Sequence, residues 1–191
     1  MRQSQKLALF GSLKVLVLSS ILAAISIVCG KYLAIPGGNV LRFSFENLPV
    51  LLAGISFGPF VGAVVGAVAD LCGSVMVGYT INPVITLGAA AVGLCGGAVF
   101  RLGCSLSLTP RLVLAVSIAH AVGSVVIKTL GLSAFFALPL WELMLWRLLN
   151  YVIIGALELM LLRLLLQNAA IRRQLNIQNS QTDRSANHEL R

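Results

Sequence analysis

The sequence is short of charge, and shortest of acid. Of 191 residues only 10% are Asp, Glu, Lys or Arg, six acidic against fourteen basic. A water-soluble domain carries about 25% charged residues. So few cannot hydrate the surface of a chain that is 58% hydrophobic with a mean hydropathy of +0.95. The shortage excludes an ordinary cytosolic enzyme, and the apolar mass excludes a disordered chain. Catalytic and nucleotide motifs are also missing: no GxxxxGK[ST], no dinucleotide fingerprint and no HExxH. Energy for any transport therefore has to come from an ion gradient or another subunit. His120 and His188 are isolated, and Cys29, Cys72, Cys95 and Cys104 lie far apart without a CxxC pair. The cysteines read as small apolar core residues, not a disulfide framework or a metal site, and no cofactor is expected. The net charge of +8 is scattered between apolar runs, as loop charges of a membrane protein are. It does not cluster as a nucleic-acid face would, so no nucleic-acid partner is expected.

What the sequence has is long continuous apolar runs, six of spanning type: about Leu7–Cys29, Asn47–Phe57, Phe60–Val77, Ile81–Phe100, Arg111–Leu130 and Trp141–Leu166. The second is short, so Arg42-Phe43-Ser44-Phe45-Glu46 ahead of it must complete the crossing or lie in the interface. The runs do not alternate, which excludes a barrel. The expected fold is all-α, a polytopic bundle of six transmembrane helices over residues 1–166, with a polar, disordered cytoplasmic tail over 167–191. The first run exceeds a secretion signal's apolar core of roughly 7–15 residues and is read as helix one. With both termini cytoplasmic, ten of the fourteen cations fall inside and four (Lys31, Arg42, Lys128 and Arg147) outside, the bias that sets orientation. The protein is thus expected in the cell membrane, with outer connections near Pro36–Val40, Val77–Pro83 and Ser133–Leu140.

Small residues recur at helical spacing: Gly58, Gly62, Gly66 and Asp70 on helix three, Ala89, Gly93 and Gly97 on helix four, Ala115, Ala119 and Gly123 on helix five. These stripes suit close packing where lipid gives no hydrophobic drive to associate. On helix one, Ser19, Ser20, Ala23 and Ala24 suit either internal packing or a partner subunit. The polar groups are few and mostly share one end of the bundle: Arg42, Ser44, Glu46 and Asn47; Tyr79, Thr80, Asn82 and Thr86; Lys128 and Thr129; Glu142, Arg147, Asn150 and Tyr151. Arg147, Tyr151, Ile154 and Glu158 fall on one helical face with Asn150 beside it. Intramembrane polar groups are expensive, and their shared depth points to an outward-facing cavity. Each also has a plainer reading: Arg42 and Glu46 as an i, i+4 pair, Arg147 as a snorkelling cation beside Trp141 and Trp146, Asp70 as a local neutraliser, His120 as an interior histidine.

The run Arg42-Phe43-Ser44-Phe45-Glu46-Asn47-Leu48-Pro49, then Phe57-Gly58-Pro59 and Gly62-Ala63-Val64-Val65-Gly66-Ala67-Val68-Ala69-Asp70-Leu71-Cys72-Gly73, resembles the substrate-binding S components of energy-coupling factor vitamin transporters. It is closest to the folate-type family. The motifs cover about Arg42 to Arg101; the six-span layout covers the whole chain. The resemblance implies a non-catalytic membrane protein that captures a vitamin, folate first, from outside. It implies docking on a transmembrane coupling subunit joined to two ATPases, through small residues of helix one, here Ser20, Ala23 and Ala24. Family binding positions map onto Arg42, Ser44 and the stretch Tyr79 to Thr86. The sequence departs from the folate pattern in that stretch, with Tyr79-Thr80-Ile81-Asn82-Pro83-Val84-Ile85-Thr86.

A flat ring with a di-anionic tail requires stacking surfaces, donors and positive charge. Arg42, Lys128 and Arg147 suit carboxylates, Asn82, Thr86 and Asn150 the ring edge, and Tyr79 or Tyr151 its face. The expected site is therefore Arg42, Ser44, Tyr79, Asn82, Thr86, Arg147 and Asn150. Pantothenate, cobalamin or a queuosine precursor remain alternative ligands. A self-sufficient secondary carrier with Asp70 or Glu158 as proton sites, and a ligand-free assembly protein, remain alternative functions.

Overall fold

A computed structural model describes residues 13–36, 42–137, 139–168 and 171. The expected start of helix one at residues 7–12, part of the first outer connection and nearly all of the polar tail lie outside the described residues. Helix α1 (Leu13–Ile27) continues into a π-helical turn, Val28–Tyr32. Two short strands follow, β1 (Ile35–Pro36) and β2 (Arg42–Phe43), paired antiparallel with Ile35 opposite Phe43 and Pro36 opposite Arg42. Then come α2 (Asn47–Phe57), α3 (Pro59–Met76), α4 (Pro83–Leu102) and α5 (Leu108–Ala119). The last of these runs through a π-helical stretch, His120–Ile127, into α6 (Lys128–Phe136), and α7 (Leu140–Gln167) closes the bundle. The Arg42–Glu46 stretch therefore completes no crossing. Among the described residues the fold is, apart from the two-residue ladder, the expected all-α bundle.

Among the described residues five helical stretches are long and apolar enough to cross a membrane, and α2 is a shorter apolar helix. The fifth of the six expected spans is longer than the sequence suggests. It starts at Leu108 and runs to Phe136, through the tolerated Gly131, and stops where Ala137 takes a left-handed conformation, φ 51°, two residues before Pro139. The connection expected from Ser133 is therefore mostly helix.

Local chemistry sets the other ends. Pro59 and Pro83 occupy first-turn positions, where no amide hydrogen is required. Asn82 caps α4 by accepting a hydrogen bond from the Val84 amide at 3.0 Å. The corner between α2 and α3 turns on Gly58, φ 115°, where any side chain would be strained and would also meet the Arg101 guanidinium at 2.5 Å.

Helix α2 lies at the centre, with eight of its residues buried from Asn47 to Ile55. Leu51, Val92, Leu112, Leu162 and Leu166 complete a fully enclosed core. The stripes of α3 and α4 are internal packing. A methyl on Gly62 would meet Gly54 Cα at 2.5 Å and the Gly93 carbonyl at 2.8 Å, and one on Gly93 would overlap the Gly62 carbonyl. Ala115 and Ala119 are likewise enclosed. Outward, α1 presents Leu16, Val17, Ile21, Ile25 and Val28, and α7 presents Trp141, Leu145, Leu149, Val152 and Leu164. Such a surface suits lipid as solvent. Two cysteines are not core residues as expected: Cys72 and Cys104 are exposed.

Candidate functional site

At one end of the bundle, α1's π turn, the start of α2, α3, α4 and the start of α6 converge on a cavity of about 20 Å³, room for about one water. Its polar lining is Ser26, Lys31, Glu46, Asn47, Asp70 and Lys128. Lys128 Nζ donates to Glu46 Oε1 at 2.8 Å, and the Ser26 hydroxyl donates to the Glu46 carbonyl at 2.7 Å. Lys31 donates to Ser74 Oγ at 3.4 Å and lies 5.5 Å from the centre of the Tyr79 ring. Thr86 donates to Asp70 Oδ2 at 2.7 Å. Asn47, which lines the cavity, is buried, and its side-chain amide nitrogen has no hydrogen-bond partner among the described residues.

Three glycines make room for these charges. A methyl on Gly30 would meet Glu46 Oε2 at 2.7 Å, one on Gly73 would meet Lys31 Cε at 2.8 Å, and one on Gly88 would meet Lys128 Cγ at 2.5 Å. Each long charged side chain lies in a groove floored by one of them. Burial pushes the Glu46 carboxyl up, but the cations Lys128, Lys31 and Arg147 outweigh it and hold the group at about 2. Glu46 is therefore ionised at neutral pH, and the cavity wall brings two lysines, Lys31 and Lys128, together with two acidic residues, Glu46 and Asp70.

A second polar cluster lies deeper, between the π stretch and α7. His120 Nε2 and Glu158 Oε2 are 2.6 Å apart, both buried, Glu158 completely. His120 Nδ1 is 3.4 Å from Ser124 Oγ, and its ring stacks on Tyr151 at 5.2 Å between centroids. Arg147 donates to the Ser124 carbonyl at 3.2 Å and to the Tyr151 hydroxyl at 3.3 Å. The face of α7 carrying Arg147, Tyr151, Ile154 and Glu158 thus does point into the bundle, and His120 is an interior histidine with a carboxylate partner.

The structure distributes the expected site residues unevenly. Arg42 stands on β2 and Ser44 just after it, half-buried; the Arg42 side chain lies outside the described residues. Tyr79 is half exposed beside Lys31. Asn82 is buried, and beyond its cap it donates to the Gly131 carbonyl at 3.1 Å, tying α4 to α6. Thr86 holds Asp70 and does not itself line the cavity. Arg147 and Asn150 sit on α7, away from the cavity lining. On helix one, Ser20 and Ala24 face outward. Ala23, 7% exposed, is a packing residue of the bundle, which removes it from the expected docking face.

Sequence reasoning missed Lys31, Glu46, Asn47 and Asp70 as a unit with Lys128. The available signal was the charged residue at the edge of an apolar run, and for Glu46, Lys31 and Lys128 a glycine elsewhere in the chain that leaves it room. The Glu46 carboxylate is held by Lys128 from 82 positions away; its expected i, i+4 pairing with Arg42 falls on a side chain outside the described residues.

The sequence profile of the family described as "ECF transporter, substrate-specific component" matches residues 14–173. Among solved structures, FolT bound with folic acid superposes with a TM-score of 0.64 at 25% identity, over 78% of this chain and 91% of that one. The S component of a bacterial ECF transporter superposes with a TM-score of 0.59 at 22% identity, over 81% of this chain and 96% of that one, which bears on the fold alone. No curated protein sequence matches. The six-helix membrane bundle, its polar cavity at one end and a profile match across most of the chain place this protein among the substrate-specific components of ECF transporters.

Proposed function

We propose that this chain captures folate at the outer face of the membrane and performs no chemical step of its own. The observation that carries the reading is the likeness to FolT bound with folic acid across 91% of that protein. Folate joins a flat hydrogen-bonding ring to two carboxylates, and this end of the bundle offers partners for both: Glu46, Asp70, Asn47 and Lys128 around the cavity, Arg42 on the ladder outside it. Ser44 and Tyr79 stand at the rim, while Asn82 and Thr86 hold the wall in place. Arg147 and Asn150 act from α7 behind it. Both termini are cytoplasmic in this reading. Import is driven by a transmembrane coupling subunit and two ATPases that dock against the outward-facing Ser20 and Ala24.

A cavity of about 20 Å³ is far below the roughly 300 Å³ of a ligand pocket, so binding requires its wall, which includes Lys31, to open. The test is calorimetric titration of folate into the purified chain, with pantothenate and cobalamin as controls. Folate binds and the controls do not. Arg42→Ala weakens folate roughly ten- to a hundredfold, the equivalent of a charge-assisted hydrogen bond of about 1.5–3 kcal/mol. Folate failing to bind the folded wild type would overturn the assignment.

A further inference from the structure

The position of Lys128 is fixed by the hydrogen bonding of the turn that delivers it. Its amide donates to the Gly123 carbonyl, five residues back, and so passes over the Ser124 carbonyl that an α turn uses. The Ser124 carbonyl accepts from the Arg147 guanidinium of α7 at 3.2 Å. Helix α4 leaves room for the same turn: a methyl on Gly88 would meet the Gly123 carbonyl at 2.8 Å, the Lys128 amide nitrogen at 3.3 Å and Lys128 Cγ at 2.5 Å. The π bond and the stem of Lys128 therefore pack on one glycine of α4, while α7 supplies a donor for the carbonyl that the Lys128 amide passes over.

Two more contacts join the π stretch to α7. His120, its first residue, has Nε2 2.6 Å from Glu158 Oε2, and the His120 ring stacks on Tyr151. Links within each element close the set: the Tyr151 hydroxyl accepts from Arg147 at 3.3 Å, and His120 Nδ1 lies 3.4 Å from Ser124 Oγ. None of these five residues lines the cavity. Polar groups buried at this depth are costly and mark function, and π turns inside helices occur mostly at functional sites. Their shared consequence for the cavity is the register of Lys128.

We propose that Glu158, His120, Tyr151 and Arg147 are positioning residues: they touch no ligand, and through Ser124 and the π stretch they lock the register in which Lys128 meets Glu46. Glu158 and Tyr151 hold the beginning of the stretch through His120, and Arg147 holds its end at the Ser124 carbonyl. Without them the Lys128 amide is free to return to Ser124. A one-residue change of register turns the lysine by about 100°, out of reach of Glu46. The proposal rests on reading this end of the bundle as the ligand site, and it is indifferent to which vitamin binds there.

The test reads the cavity without ligand. The cations facing Glu46 are Lys128 from α6, Lys31 from the π turn of α1 and Arg147 from α7, and Asp70 of α3 shares the cavity wall. The fall in melting temperature caused by Glu46→Gln at neutral pH therefore reports the pairing with Lys128. It is measured in the full chain in three backgrounds: wild type, His120→Phe with Glu158→Leu, and Glu158→Gln, which keeps an acceptor for His120. The apolar double variant melts close to wild type, yet in it Glu46→Gln has little further effect and folate binds at least about tenfold more weakly. Glu158→Gln retains both. Removing a carboxylate by itself favours an ionised Glu46, the opposite direction, so a shrinking effect reports position. A full Glu46→Gln effect in the folded double variant overturns the proposal even if folate affinity falls, because that loss then comes from direct contact with the ligand. A shrunken effect with unchanged folate affinity leaves the positioning in place and overturns the cavity as the ligand site. If the double variant does not fold, Tyr151→Phe, which removes only the hydroxyl that accepts from Arg147, decides by the same reading: a smaller Glu46→Gln effect supports the proposal, and an unchanged one overturns it.

Discussion

Replacing His120 by Phe should destabilise the bundle far more than replacing His120 and Glu158 together. Glu158 has no exposed surface, its Oε1 has no hydrogen-bond partner, and its Oε2 is held by His120 at 2.6 Å. Phe fills the imidazole's place but gives that carboxyl nothing. A buried carboxylate stripped of its partner costs about 3–5 kcal/mol, or about 1–3 kcal/mol if the group takes up a proton and remains an unsatisfied acid. His120→Phe with Glu158→Leu removes both polar groups at nearly constant volume, and such replacements are often neutral or stabilising. The coupling energy from the four-variant cycle therefore reports the nature of the contact. Hydrogen bonds between transmembrane helices average about 0.6 kcal/mol in such cycles, with a maximum near 1.7. The short separation and complete enclosure place this pair above that range, at more than about 2 kcal/mol. The assay is unfolding of the four proteins in mixed micelles by titrated denaturing detergent, followed by circular dichroism. A coupling below about 0.6 kcal/mol, with Glu158→Leu alone no less stable than wild type, would refute the argument that this pair fastens α7 to the π stretch.

Glycine substitutions should differ sharply by position. Gly93→Ala drives a methyl into the Gly62 backbone and should cost about 1–3 kcal/mol or more by overpacking, whereas Gly155→Ala, whose methyl meets His120 Cδ2 at an ordinary 3.5 Å, should stay within about 0.5 kcal/mol; equal melting temperatures would contradict the close α3–α4 contact. Glu46, held at about 2 when folded against roughly 4.3 unfolded, is a depressed carboxylate, so its stabilisation is full above the unfolded value and lost as pH falls toward the folded one. The melting-temperature gap between wild type and Glu46→Gln should accordingly be constant from pH 7 to 5 and close between about pH 4.3 and 2; a gap that widened on acidification would mean Lys128 does not pair with Glu46. Ala24→Trp puts a bulky ring on the outward face of α1 and should abolish uptake with the coupling module co-expressed while leaving ligand affinity within about twofold. Undiminished uptake would exclude that face from docking.

The bundle itself was legible because its cause is local. Continuous apolar runs mark the helices, and the small residues at 62, 66, 89 and 93 already sit at the spacing that brings α3 against α4; the fourth helix starts at Pro83, two residues after the expected Ile81. The far end of the fifth span was misjudged because nothing at Leu130 stops a helix, and the break waits for Ala137. The binding end was legible as a region but not as a set of partners. Glu46 and Lys128 are 82 positions apart, and a pairing at that separation leaves no periodic trace. Asn82 and Thr86 were recognised as polar groups at the right depth, yet polarity alone does not separate a ligand contact from a helix cap or a carboxylate's partner, which is what their hydrogen bonds make them.

The two π turns account for much of what the sequence could not show. An i→i+5 turn takes more residues than an α turn and so changes the angular position of everything beyond it; such turns persist where a function holds them. The first, Val28–Tyr32, carries Lys31 to the cavity, and its Gly30 leaves space for Glu46. The second, His120–Ile127, contains both His120 and Ser124 and ends one residue before Lys128. In an unbroken α-helix each residue advances about 100°, so even a one-residue change of register swings Lys128 away from Glu46 and toward lipid or a neighbouring helix. A lysine there would be costly. The π geometry and the ion pair therefore require each other. The two turns thus set the register in which Lys31 and Lys128 reach the cavity wall.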